Sequence, residues 1–405
     1  MSRQLFNLNE DLRKLRDEGY CVQVHGGYLV MKQVPYVNAE GQVCRGAFAS
    51  RLHLAGDKTK PPDDHTILFI GESPYSGEDR PITTHSSVNE RVADDLVATL
   101  KFSRKPPGGY RDYHHQMTVY AGIFAGPAEA IDPDANPRVF RRADEGEDGV
   151  FQYTDTLTSR VGTGAATQSL REERIVIIGL GGTGAYILDL VTKTPVSEVR
   201  IIDGDLFETH TAFRSPGAAS IDCLREEPKK VDFYREKYSK MHRNIVAHAV
   251  MLDASNLHLL DGVTFAFVCI DDGPAKKEIF AKLETIGVPF IDCGMGIDMI
   301  DGSMTGIIRT TTSLPDRRGH VYGGNVSFAG GGERDLYSSN IQIAELNSLN
   351  AALAVIKWKK IRQFYHDSLE ELQSLYTIDV DTMVHTEPLQ ELPLSKLDRN
   401  DKVAS

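Results

Sequence analysis

The string G-L-G-G-T-G at residues 179–184 follows an apolar run, I-V-I-I, and opens a helical pattern, A-Y-I-L-D-L-V. Glycines in such a turn let the backbone approach phosphate, and the helix start supplies oriented N–H groups. Gly179, Gly181, Gly182 and Gly184 are therefore candidate nucleotide-binding positions. Asp203 closes the next apolar run, about twenty residues further on, where a carboxylate can accept ribose hydroxyls. Asp205 follows it in the string IIDGDLF. This constellation fits NAD(H) as well as ATP.

Charges further along favour ATP. Arg214 sits in LFETHTAFRS, Lys230 in EEPKKVDFYREKYSK, and Asp271 in FVCIDDGPAKKEI. A dehydrogenase needs no such set around its phosphates. Nucleotidyl transfer does, because cations must hold the phosphates and stabilise charge in the pentavalent transition state. Mg²⁺ in turn prefers one or two carboxylates with phosphate oxygens and water, a role that suits Asp271.

These residues need a scaffold at the ends of strands. Residues 175–178, 199–202, 263–270 and 288–291 are short apolar runs, and helical sequence lies between them. Strands alternating with helices predict βαβ units and a mostly parallel, Rossmann-like α/β sheet. Residues 340–365 read as a helix with an apolar face and a basic end. The first 150 residues have another texture, that of a smaller α+β domain. A charged amphipathic helix comes first, and β-like runs follow at 28–34, 51–55 and 66–71, separated by turn-rich pieces. Residues 112–126, D-Y-H-H-Q-M-T-V-Y-A-G-I-F-A-G, read as a strand entering the core. The polar stretch 132–149 reads as a linker or long loop, and the glycine-rich segment 323–335 as a surface loop or lid. The expected division is 1–150 for the first domain, 151–378 for the ATP-binding domain and 379–405 for a polar tail.

Composition narrows the setting. A net charge of −12 argues against general binding to nucleic acid or anionic membranes, which needs basic patches. No stretch has the unbroken apolar length of a membrane span. Five scattered cysteines without a C-x-x-C pair predict a reducing, cytoplasmic setting and no structural zinc site. His25, His53, His65, His85, His114 and His115 crowd the first domain, yet none has metal-ligand spacing, and surface or hydrogen-bonded roles are expected.

With these residues in place, the segment from about 160 to 367 resembles the ThiF/MoeB/HesA family, whose fold the ubiquitin-activating enzymes share. The four glycines match its phosphate loop, Asp203 its ribose-binding aspartate, Arg214 and Lys230 its phosphate-contacting cations, and Asp271 its Mg²⁺ ligand. Thr211 and Ser215 stand where the family often has Asn and Gln around the arginine, and Lys229 lies beside Lys230. The resemblance implies a homodimer, with a second arginine reaching the γ-phosphate from the partner subunit; Arg160 is the candidate. It implies attack of a protein's C-terminal carboxylate on the α-phosphate of ATP, and no side-chain nucleophile is required for that half-reaction. The partner implied is a ubiquitin-like or sulfur-carrier protein, with a conjugating enzyme as a further partner. A tRNA-directed member, an NAD(P)-dependent oxidoreductase and an inactive scaffold are the alternatives. Ubiquitin-activating enzymes pass the acyl group on to a cysteine, often in the crossover after the strand at 288–291, where this chain has none. Cys293, at the expected end of that strand, Cys223 and Ser313 are the candidate acyl acceptors.

Overall fold

The computed structural model describes residues 2–76, 80–82, 85–93, 96–140, 149–155, 157, 164–323, 326–328 and 342–385. The chain divides into two compact units, Met1–Thr163 and Gly164–Ser405. Each has its own core.

The first unit opens with helices α1 (Ser2–Leu8) and α2 (Glu10–Asp17), followed by strands β1 (Cys21–His25), β2 (Tyr28–Val37), β3 (Val43–Arg51), β4 (Leu54–Ala55), β5 (Lys58–Thr59), β6 (Thr66–Ile70), β7 (His85–Ala93) and β8 (Leu96–Ser103). Six of these strands form an antiparallel sheet in the order β1-β2-β3-β6-β8-β7, and β4 pairs with β5. Helix α3 (Tyr113–Ile131) packs on β2 and corrects the expectation of a strand at 112–126. Asp112 caps it by accepting from His115 N, and Tyr113, Gln116, Met117, Tyr120, Ala121 and Phe124 are buried at helical spacing. Those tyrosines and phenylalanines favour strands only while their partners are unknown; here Phe48, Phe69 and Phe102 from the sheet close on Phe124. His53 pairs with Asp63 and His114 with Glu18, each at 2.9 Å, and His65 lies 4.0 Å from Asp64.

The second unit runs α4 (Gly164–Gln168), β9 (Arg174–Ile178), α5 (Thr183–Val191), β10 (Glu198–Ile202), α6 (Thr209–Ala212), α7 (Ile221–Arg225), α8 (Lys230–Tyr238), β11 (Ile245–His248), β12 (Phe265–Val268), α9 (Gly273–Thr285), β13 (Phe290–Ile300), β14 (Ser303–Ser313), α10 (Ala344–Ile361), β15 (Gln373–Thr377) and β16 (Thr382–His385). Its sheet has the order β11-β10-β9-β12-β13-β14-β15-β16. The first five strands are parallel and the last three extend them antiparallel. The apolar runs are buried on both faces, as a helix-covered parallel sheet requires. Ile175 and Ile177 face one core with α5, α8 and α10, while Val176 and Ile178 face another with α9.

Two expectations change here. The segment after residue 291 is no simple crossover: β13 continues to Ile300 and returns as β14. Asp301 and Gly302 both have positive φ, +50° and +81°, the form of a two-residue hairpin turn. Part of the segment expected as a polar tail also belongs to the sheet, since β16 pairs with β15 up to His385. Residues 386–405 lie outside the described residues, as do 141–148 in the expected linker and most of the glycine-rich loop. No described helix is long and apolar enough to cross a membrane.

Candidate active site

Chain order reverses between β9 and β12, since β10 lies on one side of β9 and β12 on the other. Clefts at the carboxyl ends of strands at such a switch point bind ligands in open α/β sheets. A cavity of about 710 Å³ opens there, lined by Gly179, Gly181, Gly182, Asp203, Asp205, Arg214, Lys230 and Asp271 among others. Residues spread over some ninety positions of sequence thus meet in one place.

The glycine loop is held from several sides. Gly179 has φ +86°, and a Cβ there would lie 2.6 Å from the Cys269 carbonyl oxygen. Asp203 Oδ2 accepts from Leu180 N at 2.6 Å, and its Oδ1 accepts from Asp205 N at 2.9 Å. Asp203 therefore shapes the loop as well as facing the cavity. Lys230 donates from Nζ to Asp205 Oδ2 at 2.7 Å and lies 3.7 Å from Asp203 Oδ1. Its neighbour Lys229 donates to the Gly204 carbonyl at 2.6 Å. Arg214 comes from the turn after α6; its Nη2 lies 3.8 Å from the point where a Cβ at Gly181 would stand. Its Nε is buried with no hydrogen-bond partner among the described residues, and so is Gln342 Oε1 beside it.

Asp271 and Asp272 follow β12. Asp272 caps α9, accepting from Ala275 N at 3.0 Å, while Asp271 is exposed at the cavity wall. Among the described residues no group of three or more His, Cys, Asp or Glu could cage a metal. A single carboxylate with phosphate oxygens still meets the needs of Mg²⁺.

Sequence reasoning missed five further residues. Asn347, on α10, accepts from Thr183 Oγ1 at 2.9 Å and donates to the Arg214 carbonyl at 3.4 Å, tying the glycine loop to the arginine turn. Gln342 lines the cavity next to Gly181, its Oε1 3.8 Å from the point where a Cβ at Gly181 would stand. The other three form a trio on the far wall. Asp292 on β13 is fully buried; its Oδ1 lies 3.0 Å from Lys276 Nζ, and its Oδ2 accepts from Arg309 Nη2 at 2.6 Å. A carboxylate inside the apolar string P-F-I-D-C was the available signal, because a buried charge must be paired. Nothing local pointed to Asn347 or Gln342.

The candidate acyl acceptors separate. Cys293 lines the cavity but lies inside β13, not at a strand end, and is buried. Cys269, opposite it, has its thiol pushed well above the ordinary range by a hydrogen bond with the Cys293 thiol, by burial and by Asp292. Cys223 sits in α7 away from the cavity lining, its thiol raised by burial and by Glu226 and Glu236. Ser313 is fully buried at the end of β14 and does not line the cavity. Arg160 lies outside the described residues. Thiolates, not thiols, react. In folded protein at neutral pH, iodoacetamide is expected to modify Cys269 and Cys293 at least about tenfold more slowly than after urea unfolding. Peptide mass spectrometry reads this directly, and equal rates would show the pair to be reactive.

Residues 153–320 match the ThiF family, and residues 10–156 match DUF6791, a domain of unknown function. The chain carries a ThiF-family domain. A segment of 146 residues of this chain is 23% identical to the adenylyltransferase and sulfurtransferase UBA4 of Saccharomyces cerevisiae. That alignment covers 35% of this chain and only 32% of the yeast protein. Solved structures with a similar chain path include PaaA, at 16% identity and TM-score 0.43 over 55% of this chain and 75% of that one. Escherichia coli MccB with ATP is similar at 16% identity and TM-score 0.43, over 58% and 68%. The ThiF domain thus brings the glycine loop, Asp203, Arg214, Lys230 and Asp271 to one cavity, with DUF6791 preceding it in the chain.

Proposed function

We propose that the ThiF domain binds ATP with Mg²⁺ and adenylates the C-terminal carboxylate of a ubiquitin-like or sulfur-carrier protein. The convergence of Arg214, Lys230 and Asp271 on the cavity of the glycine loop carries this reading. A nicotinamide cofactor would need no carboxylate across from two cations. The unpartnered Arg214 Nε and the open face of Gly181 fit a phosphate group. The similarity to UBA4, described as an adenylyltransferase, supports the reaction class.

In this reading the glycine loop and the first turn of α5 cradle the phosphates with backbone N–H groups. Arg214 and Lys230 hold the leaving pyrophosphate, and Asp203 accepts ribose hydroxyls with the oxygen lone pairs left by its two backbone bonds. Asp271 would hold Mg²⁺, which would supply positive charge against the phosphates. One carboxylate oxygen of the substrate forms a bond to the α-phosphorus. The bond from that phosphorus to the bridging oxygen breaks, and pyrophosphate leaves with the electron pair. The residues supply position and charge rather than a nucleophile. A homodimer contributing Arg160 in trans and a cytoplasmic setting belong to the same reading. A conjugating enzyme is the acceptor it leaves for the acyl group, as neither Cys269 nor Cys293, the thiols on the cavity wall among the described residues, is exposed.

Exchange of labelled pyrophosphate into ATP, with a ubiquitin-like protein ending in Gly-Gly supplied, tests the proposal. Asp271→Ala is expected to lower exchange by roughly a hundred- to a thousandfold, as loss of a main electrostatic element does. Full exchange in that variant would remove Asp271 from the metal site. Wild-type protein that binds NADH and not ATP would overturn the whole reading.

A further inference from the structure

We infer that Arg309, held in place by Asp292 and Lys276, is the anchor for the substrate carboxylate. The inference rests on the adenylation reading and adds to it the residue that receives the acyl group. Asp203 follows directly on β10, Arg214 and Lys230 lie in the segment after it, and Asp271 lies three residues beyond the end of β12. Arg309 lies on β14, two strands beyond β12 in the opposite direction from β10. In-line displacement at the α-phosphorus places the attacking oxygen opposite the leaving pyrophosphate. With pyrophosphate on Arg214 and Lys230, the carboxylate arrives from the β13–β14 side.

That wall is built to present a cation. Asp292 is fully buried, and Lys276 is 5% exposed. Two cations share this one carboxylate, at 3.0 Å and 2.6 Å, so the trio carries more positive charge than negative. Thr311 Oγ1 accepts from Arg309 Nη1 at 2.8 Å and fixes the guanidinium plane. Gly294 gives the guanidinium its room: a Cβ there would fall 2.6 Å from Arg309 Nη2. Gly294, Gly296, Ile307 and Leu375 continue the cavity wall without a charge. Bare backbone at Gly296, with nothing within 4 Å of its Cβ position, leaves space for the extended main chain of an incoming tail. Arg309 touches the substrate; Asp292 and Lys276 are positioning residues that act through it.

Three probes test this: AMPPNP with Mg²⁺, 5′-O-sulfamoyladenosine, and glycylglycyl-sulfamoyladenosine, whose acyl oxygen stands where the substrate's remaining carboxylate oxygen would be. Wild-type protein is expected to bind the acylated compound more tightly than the bare one. Arg309→Gln is expected to weaken only the acylated compound, by roughly ten- to a hundredfold, the cost of one charged hydrogen bond. Arg309→Lys restores part of the preference, and Asp292→Asn loses it while AMPPNP binding shows the domain still folded. Equal weakening of all three probes in Arg309→Gln, or no weakening, overturns the assignment. So does wild-type protein with no preference for the acylated compound. Failure of wild-type protein to bind AMPPNP overturns the adenylation reading itself.

Discussion

Gly184→Ala is expected to abolish nucleotide binding and to lower the melting temperature of the ThiF domain. A Cβ at this position would lie 1.9 Å from the Gly179 carbonyl oxygen and 3.3 Å from Cys269 Cβ. The clash is with backbone, not with the movable end of a side chain. Gly179 cannot retreat, because its N–H donates to the Ile202 carbonyl at 2.9 Å and its own Cβ position is closed by Cys269. Overpacking costs about 1–3 kcal/mol in ordinary cores, and a fixed backbone puts this case at the upper end or beyond. For a domain of this size each kcal/mol is worth about 2–4 °C in melting temperature. Gly319→Ala is the control, with nothing within 4 Å of its Cβ position, and is expected to stay within about 0.5 kcal/mol of wild type. Thermal melts and titration with a fluorescent ATP analogue read both effects. A Gly184→Ala protein that melts and binds ATP like wild type would mean that the loop is wider than the geometry allows.

Lys230→Met has the second largest expected effect, and it combines stability with binding. The lysine side chain is 6% exposed and neutralises Asp203, itself 6% exposed, while hydrogen-bonding Asp205. Removing it leaves a buried carboxylate without its cation, a change that costs about 3–5 kcal/mol where pairs are fully buried. The 3.7 Å separation from Asp203 and the exposure of Asp205 place the loss toward the lower figure. Nucleotide phosphate loses a cation in the same step. The double variant Lys230→Met with Asp203→Asn separates the two losses. Its stability is expected to recover in part, since the unpaired charge is gone, and its ATP binding is not. Urea melts and ATP titrations of the four proteins close the cycle. Recovery of binding in the double variant would show that Lys230 acts only by neutralising Asp203.

Most of the nucleotide end was legible because its signals are local. The run I-V-I-I, the glycines behind it and the run ending in Asp203 lie within thirty residues, and each piece follows from backbone chemistry at that spot. The parallel strands follow from apolar runs too continuous to leave a face to water. The β13–β14 hairpin had a readable sign as well, the Asp301-Gly302 pair between apolar stretches, but the family resemblance suggested a crossover there. Helix α3 departs from the expected strand for a different reason. Its tyrosines, phenylalanine and valine suit either a strand or a helix, and only Phe48, Phe69 and Phe102 on the sheet make the helical face the buried one.

The glycine loop was thus written in the sequence, and with it Asp203, Arg214, Lys230 and Asp271 as the residues to ask about. Tertiary structure alone decided what stands around them. Asn347 reaches Gly182 and Thr183 from a helix more than 160 residues later, and the Lys276–Asp292–Arg309 trio joins a helix and two strands across a hairpin. Such contacts depend on which strands become neighbours, and strand order is set by the burial of whole faces rather than by any short string. It is also the fold that buries Ser313 and holds Cys293 inside β13, so that a residue chosen for its chemistry can lack the access its chemistry needs.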